Sequence, residues 1–378
     1  MSASAGHLVH GMGLALEAPT WPVITRDEAA AVLRHYASVG QLIDLRWHSP
    51  RPFSAATLAE TDCGEFVLKR HHHTVRDAAG LAQEHAFIAH LRSNGLSVPE
   101  IMIARDGTST VASGEWTYEL HRKALGTDLY RDATSWTPFA TYDQARAGGA
   151  ALARLHAAAQ GFDAPVRPPQ PLVGSFAILT APDPLAGAAA YIAAHPALAA
   201  FLADRPWRRD LAELFAKLGD GLSAYLADQP ALWTHNDWHP SNLLWSPEGE
   251  VSTVFDFGLA DRSCAVHDLA TAIERCAVQW LQLGAGRDNA IGDTVTALAL
   301  IAGYRSVLPL APQDVAAVVH LLPLVHVEFA LSEMDYFAGI LRDPAQAAQV
   351  WDDYLIGHAH WFLSAAGRDF LAAIEAAA

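Results

Sequence analysis

Cysteine is scarce in this sequence, with three residues in a chain of 378, at positions 63, 264 and 276. Their number is odd and no two have the Cys-x-x-Cys spacing, so a disulfide scaffold is not expected and a reducing compartment fits. Basic residues are missing from the start of the chain, where no Lys or Arg precedes Arg26. A secretory signal peptide begins with such residues, so we expect a cytoplasmic protein.

Positive charge is in short supply along the whole chain. There are 25 Lys and Arg against 41 Asp and Glu, which gives a formal net charge of −16. Such a surface repels phosphate backbones, so we expect no nucleic-acid partner. A cationic or amine-bearing substrate would be tolerated.

The chain also lacks a convincing membrane segment. The Ala-rich stretch 186–203 is uncharged and about long enough to span a bilayer, but it contains His195 and Pro196. Alanine is only weakly hydrophobic, so this stretch is predicted to be helical protein interior and no membrane contact is expected.

Apolar residues, in contrast, are abundant. They make up 51% of the chain, enough for one large core or two medium ones, which excludes a disordered protein. Residues 1–24 show no sustained period and are predicted to form a loosely attached tail. Residues 25–122 mix short extended runs with helical ones, whereas residues 123–378 are mostly rich in Ala and Leu with helical spacing. The chain therefore divides into a small mixed unit and a larger helical one.

The small unit has recognisable turns and caps. Thr25 and Glu28 have the Thr-x-x-Glu spacing of a capping box, which predicts that a helix begins there. The other predicted elements are a hairpin of residues 54–60 and 66–69, a helix from about residue 76 to residue 93, and a second hairpin of residues 111–112 and 116–120.

The most informative stretch is "THNDWHPSNLLWSPEGEVSTVFDFG", residues 234–258. Two short apolar runs, Leu243–Trp245 and Val251–Phe255, flank a turn-rich linker and predict a hairpin. Folding them back places Asn242, just before the first strand, beside Asp256, just after the second. An amide oxygen and a carboxylate at one end of a hairpin form a hard-oxygen site, which suits Mg²⁺ rather than zinc.

A third polar residue can approach the same point. Asp237 lies five residues before Asn242, on the loop that enters the hairpin. The resulting spacing, His-x-Asp-x-x-x-x-Asn followed by Asp-Phe-Gly, is the catalytic set of kinases. Phosphoryl transfer needs metal ions on the phosphates and an acceptor hydroxyl held in line. Asp237 would orient that hydroxyl, while Asn242 and Asp256 would hold Mg²⁺.

This stretch resembles the Brenner-type phosphotransferase motif of the aminoglycoside phosphotransferase and choline kinase family, which shares the protein-kinase-like fold. The similar segments are the catalytic loop "HNDWHPSN" (235–242), the metal-binding segment "FDFG" (255–258), the helical "LARLH" (152–156) and "HDLA" (267–270). The resemblance implies that Asp237 is the catalytic base and that Asn242 and Asp256 are the Mg²⁺ ligands.

The small unit supplies an independent indication. A kinase needs a lysine on a strand to bind the nucleotide phosphates and a helix glutamate to hold that lysine. Lys69 ends the run "FVLK", and Glu84 falls on the apolar face of the next helix together with Leu81 and Ile88. A carboxylate that points inward needs a partner, so we predict an ion pair between Lys69 and Glu84 at the nucleotide site.

Glycine is missing from a place where many kinases carry it. The segment 46–60, ahead of and within the first hairpin, has no glycine with which to build a Gly-rich phosphate loop. Ser54, followed by the small residues Ala55 and Ala56, could instead allow backbone contact with phosphate. Ser54 is therefore predicted to contact the nucleotide.

Two alternative functions remain open on these residues. His235, Asp237 and His239 alternate along the chain, so on a strand they would share one face and could form the zinc site of a metallohydrolase. The missing glycines are also compatible with a pseudokinase that binds nucleotide without turnover. The metallohydrolase would be active without nucleotide, and the pseudokinase would be stabilised by ATP but would not consume it.

Other polar residues receive structural interpretations. His71–His73 are predicted to be an exposed strand exit and Asp268 to be a helix N-cap. Glu328, Glu333 and Asp335 are predicted to lie on a solvated helix face, with the alternative that they face the acceptor and bind an amine.

These observations together predict a two-lobed, protein-kinase-like α+β fold. A small β-sheet lobe, residues 25–122, would bind nucleotide, and a larger helical lobe, residues 123–378, would carry catalysis and substrate binding. The predicted function is the ATP- and Mg²⁺-dependent transfer of the γ-phosphoryl group to a hydroxyl of a small molecule. Amino sugars, amino alcohols, hydroxylated amino acids and sugars all fit as acceptors. Neither the acceptor nor the oligomeric state has a pattern that can be read from the sequence.

Overall fold

The computed structural model describes residues 7–10, 16–135 and 137–377. In these ranges the strands of the N-terminal part are β1 (Val9–His10), β2 (Leu16–Glu17), β3 (Leu42–His48), β4 (Ala55–Thr61), β5 (Gly64–His72), β6 (Glu100–Ile101), β7 (Val111–Ser113) and β8 (Trp116–Arg122), and its helices are α1 (Arg26–Leu33) and α2 (Ala78–Ser93). Strands β1 and β2 form a separate two-stranded sheet, and the other six form an antiparallel sheet in the order β3-β4-β5-β8-β6, with β7 also paired to β8.

Alternation along β5 gives the sheet two different faces. Phe66 and Leu68 are fully buried in a small core shared with α1, while Lys69 points to the opposite face. Glu119 of β8 lies directly opposite Lys69 in the antiparallel ladder, so the two side chains share that second face. Both predicted hairpins are confirmed, β4–β5 and β7–β8.

Helix α2 belongs to the small unit by sequence but packs on the core of the larger one. Phe87 contacts Trp233 and Phe257 through their rings, and Ile88 and Leu91 lie in the same large core. The helix begins two residues later than expected because Asp77 is its N-cap and accepts a hydrogen bond from the N–H of Gly80. The helix therefore bridges the sheet and the helical part.

The C-terminal part is mainly helical. Its helices are α3 (Tyr142–Ala159), α4 (Pro184–Ala194), α5 (Pro196–Leu202), α6 (Trp207–Leu218), α7 (Leu222–Leu226), α8 (Ala265–Ala277), α9 (Thr294–Arg305), α10 (Pro312–Leu321), α11 (Val327–Asp335), α12 (Pro344–Gln349), α13 (His358–Leu363) and α14 (Ala365–Glu375). Shorter 3₁₀ turns cover Pro240–Asn242, Trp280–Gln282 and Asp288–Ala290, and π-helical segments cover Tyr336–Leu341 and Val350–Gly357.

Two short antiparallel sheets of two strands each lie inside this helical part. Their strands are β9 (Ala231–Thr234), β10 (Leu243–Trp245), β11 (Val251–Val254) and β12 (Asp261–Cys264), paired as β9–β12 and β10–β11. The predicted hairpin of the 234–258 stretch is thus confirmed as β10–β11. The scaffold around it depends on close helix packing: a Cβ at Gly149 of α3 would lie 2.0 Å from the carbonyl oxygen of Leu300 in α9.

The prediction that residues 1–24 form a loosely attached tail is wrong for the last residues of this range. Ile24 is 1% exposed and belongs to the small core, and the Trp21 indole donates a hydrogen bond of 3.1 Å to the Tyr336 hydroxyl. Large apolar side chains at these two positions are sufficient reason for this packing. Residues 1–6 and 11–15 of the predicted tail lie outside the described residues.

The Ala-rich stretch forms α4 and α5. In the described ranges no single helix is long and apolar enough to cross a membrane. Only the pair α4 and α5 meets the criterion of length and composition, and the two are bent by 114° at the break between them.

Candidate active site

A buried aspartate holds the loop that carries Asp237. Asp268, in the first turn of α8, is 0% exposed and accepts hydrogen bonds from the backbone N–H groups of His235 (2.9 Å) and Asn236 (2.8 Å). His156 of α3 contributes a third bond to the same carboxylate, at 3.0 Å. The predicted N-cap role of Asp268 is therefore wrong, because its carboxylate serves the neighbouring loop and Cys264 precedes the helix.

The loop is shaped by its own side chains as well. His235 accepts from the N–H of Asp237 through Nδ1 and donates through Nε2 to the carbonyl oxygen of Phe255, at 3.0 Å. Asn236 has a left-handed backbone (φ +59°), a conformation that asparagine tolerates better than most residues. Its side chain donates to the Gly174 carbonyl at 2.9 Å and accepts from the Thr234 hydroxyl at 2.8 Å.

Asp237 is fixed by two donors. The amide of Asn242 donates to its Oδ2 at 3.0 Å, and the guanidinium of Arg275, on α8, forms an ion pair with its Oδ1. Burial raises the pKa of Asp237, but Arg275 and His239 outweigh it and hold the pKa far below its usual range. Arg275 is a site residue that the sequence analysis missed, since it lies 38 residues from Asp237 and only the folded chain brings the two side chains together.

The hairpin brings Asn242 and Asp256 to one end, as predicted. Leu243 pairs with Val254, and the N–H of Phe255 donates to the Asn242 carbonyl at 3.1 Å. Asp256 follows in a left-handed conformation (φ +62°), and its side chain is 38% exposed. Both side chains line one cleft together with Asp237 and Lys69.

Lys69 reaches this cleft but has a different partner from the one expected. Its Nζ lies 3.0 Å from Oδ1 of Asp256 and 3.6 Å from Oε1 of Glu119. Burial raises the pKa of Asp256, but the ammonium of Lys69 outweighs it, so the net pKa is lowered.

The predicted pair between Lys69 and Glu84 is wrong. Glu84 is buried as expected, but its Oε1 accepts from Nε of Arg76 at 3.0 Å and from Nη2 of Arg167 at 2.8 Å. The two guanidinium groups are therefore the ion-pair partners of Glu84, in place of Lys69. Neither arginine lies on the helix itself, so the periodicity that identified Glu84 could not identify them.

The loop between β3 and β4 lines the cleft with residues 51–54. Ser54 lines the cleft, as does Arg51, which the sequence analysis did not single out. The Arg51 guanidinium donates to the Ser135 hydroxyl at 2.9 Å. Burial lowers the pKa of Arg51, and the carboxylates of Asp128, Asp256 and Asp237 act against this.

The histidines are arranged for hydrogen bonding. The ring nitrogens of His235 are hydrogen-bonded to the backbone of Asp237 and of Phe255. His239 bonds to the Ser241 hydroxyl and lies 3.5 Å from Asp237. This arrangement does not present His235, Asp237 and His239 on one face, so it gives no support to the zinc alternative. His71 is buried against Glu119, which corrects the prediction of an exposed strand exit for that residue.

The acidic residues of α11 are buried, which corrects the prediction of a solvated face. Glu328, Glu333 and Asp335 are exposed by 3%, 2% and 8%. Glu328 caps the N–H groups of Ala177 and Ile178, a structural role. Glu333 lines the cleft beside Asp237, and within the described part of the chain its Oε2 has no hydrogen-bond partner.

Comparison with known proteins identifies the family. The profile of the phosphotransferase enzyme family matches residues 52–310, well over half of the chain. The chain belongs to this family. The resemblance, the protein-kinase-like α+β fold and the prediction of a small-molecule kinase, a phosphotransferase with an alcohol group as acceptor, are confirmed at this level.

Curated relatives are homoserine kinases. The enzyme from Gluconacetobacter diazotrophicus is 29% identical over 303 residues, covering 76% of this chain and 80% of the relative. The enzyme from Azorhizobium caulinodans is 25% identical over 318 residues, covering 82% and 86%.

Solved structures show the same fold at lower identity. A microcompartment-associated aminopropanol kinase aligns with a TM-score of 0.56 and 20% identity over 94% of this chain and 100% of that chain. An amicoumacin kinase in complex with AMP-PNP and Ca²⁺ aligns with a TM-score of 0.55 and 16% identity, over 87% and 93%.

Proposed function

We propose that this phosphotransferase uses ATP and Mg²⁺ and that the cleft beside Asp237 is its active site. The observation that carries the proposal is the convergence of Asp237, Asn242, Asp256 and Lys69 on one cleft from separate parts of the chain. The amicoumacin kinase with AMP-PNP and Ca²⁺ supports nucleotide and divalent-cation use in a protein of this fold.

The donor set fits a hard cation. Asn242 uses its Nδ2 for bonds to Asp237, so Oδ1 is the atom that it can offer, and the partly exposed carboxylate of Asp256 lies at the same end of the hairpin. These two residues would hold Mg²⁺. When bound, the ion supplies neutralising charge to phosphate oxygens.

Asp237 is proposed to orient the acceptor. Because its pKa is held low, this carboxylate stays ionised and accepts a hydrogen bond from the substrate hydroxyl. A strong base is not needed, since little proton transfer has to precede a loose phosphoryl-transfer transition state. Arg275 and Asn242 prevent rotation of the carboxylate, so the hydroxyl is held in one direction.

The nucleotide phosphates would be bound from the sheet side. Lys69 supplies an ammonium group on a rigid strand, and Ser54 lies on the loop that covers the cleft. Arg51 on the same loop adds a guanidinium, whose planar set of donors suits phosphate oxygens. Together they offer a substitute for the missing glycine loop.

The acceptor is proposed to be a small hydroxylated molecule that also bears an amine. The support is Glu333, a buried carboxylate in the cleft beside Asp237 whose Oε2 has no hydrogen-bond partner among the residues that the structure describes. A buried acidic group gains most from a cationic partner. The names of the related homoserine kinases and aminopropanol kinase are compatible with this class of acceptor.

The proposal is tested by a screen for ATP consumption. Amino alcohols, hydroxylated amino acids, amino sugars and plain sugars are compared as acceptors with and without Mg²⁺. We expect ATP to be consumed only when Mg²⁺ is present. We expect the highest kcat/KM with an alcohol that also bears an amine. Stabilisation by ATP without consumption in any mixture would instead support the pseudokinase. The cytoplasmic location and the absence of a nucleic-acid partner stay predictions from composition.

Substitution of Asp256 tests the metal site. Asp256→Asn removes a charged ligand, so the Mg²⁺ concentration that gives half-maximal activity should rise by about tenfold or more. The measurement is a Mg²⁺ titration at fixed total ATP, compared with the wild type. Superimposable titration curves would contradict the assignment of Asp256 as a ligand.

Glu333 gives a test based on pH. Burial raises the pKa of Glu333 to about 8, with Arg275 opposing and Asp237 adding to the effect. The carboxyl is therefore neutral at low pH and becomes charged as the pH rises through about 8, so KM for an amine-bearing acceptor should fall between pH 6.5 and 8. Glu333→Gln should remove this dependence and raise KM at pH 8 by about tenfold, equivalent to about 1.4 kcal/mol.

The matched control for this substitution is Glu375→Gln, at an exposed position of α14. It should leave KM and its pH dependence unchanged. If Glu333→Gln keeps the wild-type KM for the amine at pH 8, Glu333 does not bind the acceptor.

A further inference from the structure

Lys69 is held by acidic groups on two sides, and neither belongs to helix α2. Asp256 approaches Nζ from the hairpin at 3.0 Å and Glu119 from the adjacent strand at 3.6 Å. Glu119 is the direct cross-strand neighbour of Lys69, with a side chain only 3% exposed. The pair is therefore built into a single sheet.

Three imidazoles fix the carboxylate of Glu119. His71 lies 3.0 Å from Oε1, and His85 and His121 lie 2.8 Å and 2.7 Å from Oε2. An ionised carboxylate only accepts, so each ring donates an N–H to it. Burial raises the pKa of Glu119, but His121 and Lys69 outweigh it, and the net pKa lies well below its usual range. Glu119 thus remains charged, and both of its carboxylate oxygens are hydrogen-bonded beside Lys69.

Glu84 forms ion pairs with Arg76 and Arg167 instead. We call these three residues the arginine clamp. The Nη2 of Arg76 and the Nη1 of Arg167 both donate to the carbonyl oxygen of Gly258, at 2.8 Å and 3.1 Å. Arg76 also donates to the Pro171 carbonyl at 2.7 Å. The clamp therefore ties α2 to the Asp-Phe-Gly segment.

We propose that Glu119 is the positioning residue that holds Lys69 toward the nucleotide phosphates, and that Glu84 acts through the arginine clamp to position the Asp-Phe-Gly segment. In protein kinases the strand lysine depends on a glutamate of the adjacent helix. Here the lysine and its acid lie on neighbouring strands, so no carboxylate of α2 pairs with Lys69, and the helix contributes only the imidazole of His85 to Glu119. This inference rests on the proposed role of Lys69 at the nucleotide site.

A double-mutant cycle between Lys69 and Glu119 tests the inference. Glu119→Gln alone should lower kcat/KM for MgATP by about tenfold or more, with KM for the acceptor changed less than about twofold. In the Lys69→Ala background the same substitution should cause no further loss, because Glu119 acts through Lys69. Glu84→Gln should instead lower the melting temperature. Its effect on kcat/KM should be additive with that of Lys69→Ala in the double variant.

Controls separate positioning from folding. Glu115→Gln changes an exposed glutamate in the same hairpin and should leave all constants unchanged. If Glu119→Gln does not fold, Glu119→Asp retains the charge on a shorter side chain and is carried through the same cycle. A structural role alone would lower the melting temperature without changing KM for MgATP.

Several results would overturn the inference. The inference would be contradicted if the losses of kcat/KM caused by Lys69→Ala and Glu119→Gln were additive. It would also be contradicted if the losses caused by Lys69→Ala and Glu84→Gln were not additive. A stoichiometric zinc ion bound by His85, Glu119 and His121 would also contradict it, since their ligand atoms lie within 4.8 Å of one another. If the wild type turns over no acceptor, the proposed function fails, and the cycle is then measured through the Kd for AMP-PNP.

Discussion

Asp237→Asn is expected to lower kcat by a factor of about 10²–10⁴. The substitution keeps the shape of the side chain but removes the negative charge of the carboxylate that accepts a hydrogen bond from the substrate hydroxyl. Lys69 and Asp256, on the nucleotide side of the cleft, are unchanged. KM for MgATP and thermal stabilisation by AMP-PNP should therefore stay close to the wild type. The measurement is steady-state kinetics with the best acceptor from the screen.

Asp204→Asn, at an exposed position, serves as the matched control and should be fully active. Because Asp237 pairs with the buried Arg275, the melting temperature of Asp237→Asn is measured as well. A variant that binds AMP-PNP and retains wild-type kcat would show that Asp237 does not orient the acceptor.

Asp268→Asn is expected to have the second largest effect. The new amide replaces one acceptor oxygen by a donor, in a fully buried position where the carboxylate receives the N–H groups of His235 and Asn236 and a ring nitrogen of His156. Leaving one of these donors unpaired should cost about 3 kcal/mol of unfolding free energy. The loop that carries Asp237 would also shift, and a displacement of about 1 Å can cost about 10²-fold in kcat.

Urea denaturation and kinetics on the same preparation measure both effects, with Asp204→Asn again as the control. An unaltered urea midpoint would mean that the loop does not depend on Asp268. A lower midpoint with normal kcat for the folded fraction would mean that Asp268 stabilises the fold without positioning Asp237.

Local patterns predicted the elements that carry the site. The turn between two apolar runs was sufficient to place Asn242 and Asp256 at one end of a hairpin, because antiparallel pairing fixes which residues face each other. Lys69 was identified only as the end of the run "FVLK", and alternation along that strand turns it away from the small core in the structure. These are short-range relations, and a sequence contains them completely.

Partners of buried charges could not be predicted in the same way. Periodicity showed that Glu84 points inward, but Arg167 lies 83 residues away and reaches Glu84 only in the folded chain. Glu119 did leave a signal that was not used, a glutamate between Tyr118 and Leu120 in a predicted strand. Asp268 and Arg275 are both buried in α8; the sequence favoured a cap for Asp268 and gave no prediction for Arg275.

The sequence by itself determined the family, the residues proposed for catalysis and the hairpin that brings Asn242 beside Asp256, because the stretch that carries them spans about 25 positions. Only the tertiary structure decided which acid holds Lys69, which residues hold the Asp237 loop and which carboxylate of α11 faces the cleft. Those contacts join segments that are distant in the chain, and a buried charged group depends on partners that only the folded chain brings to it.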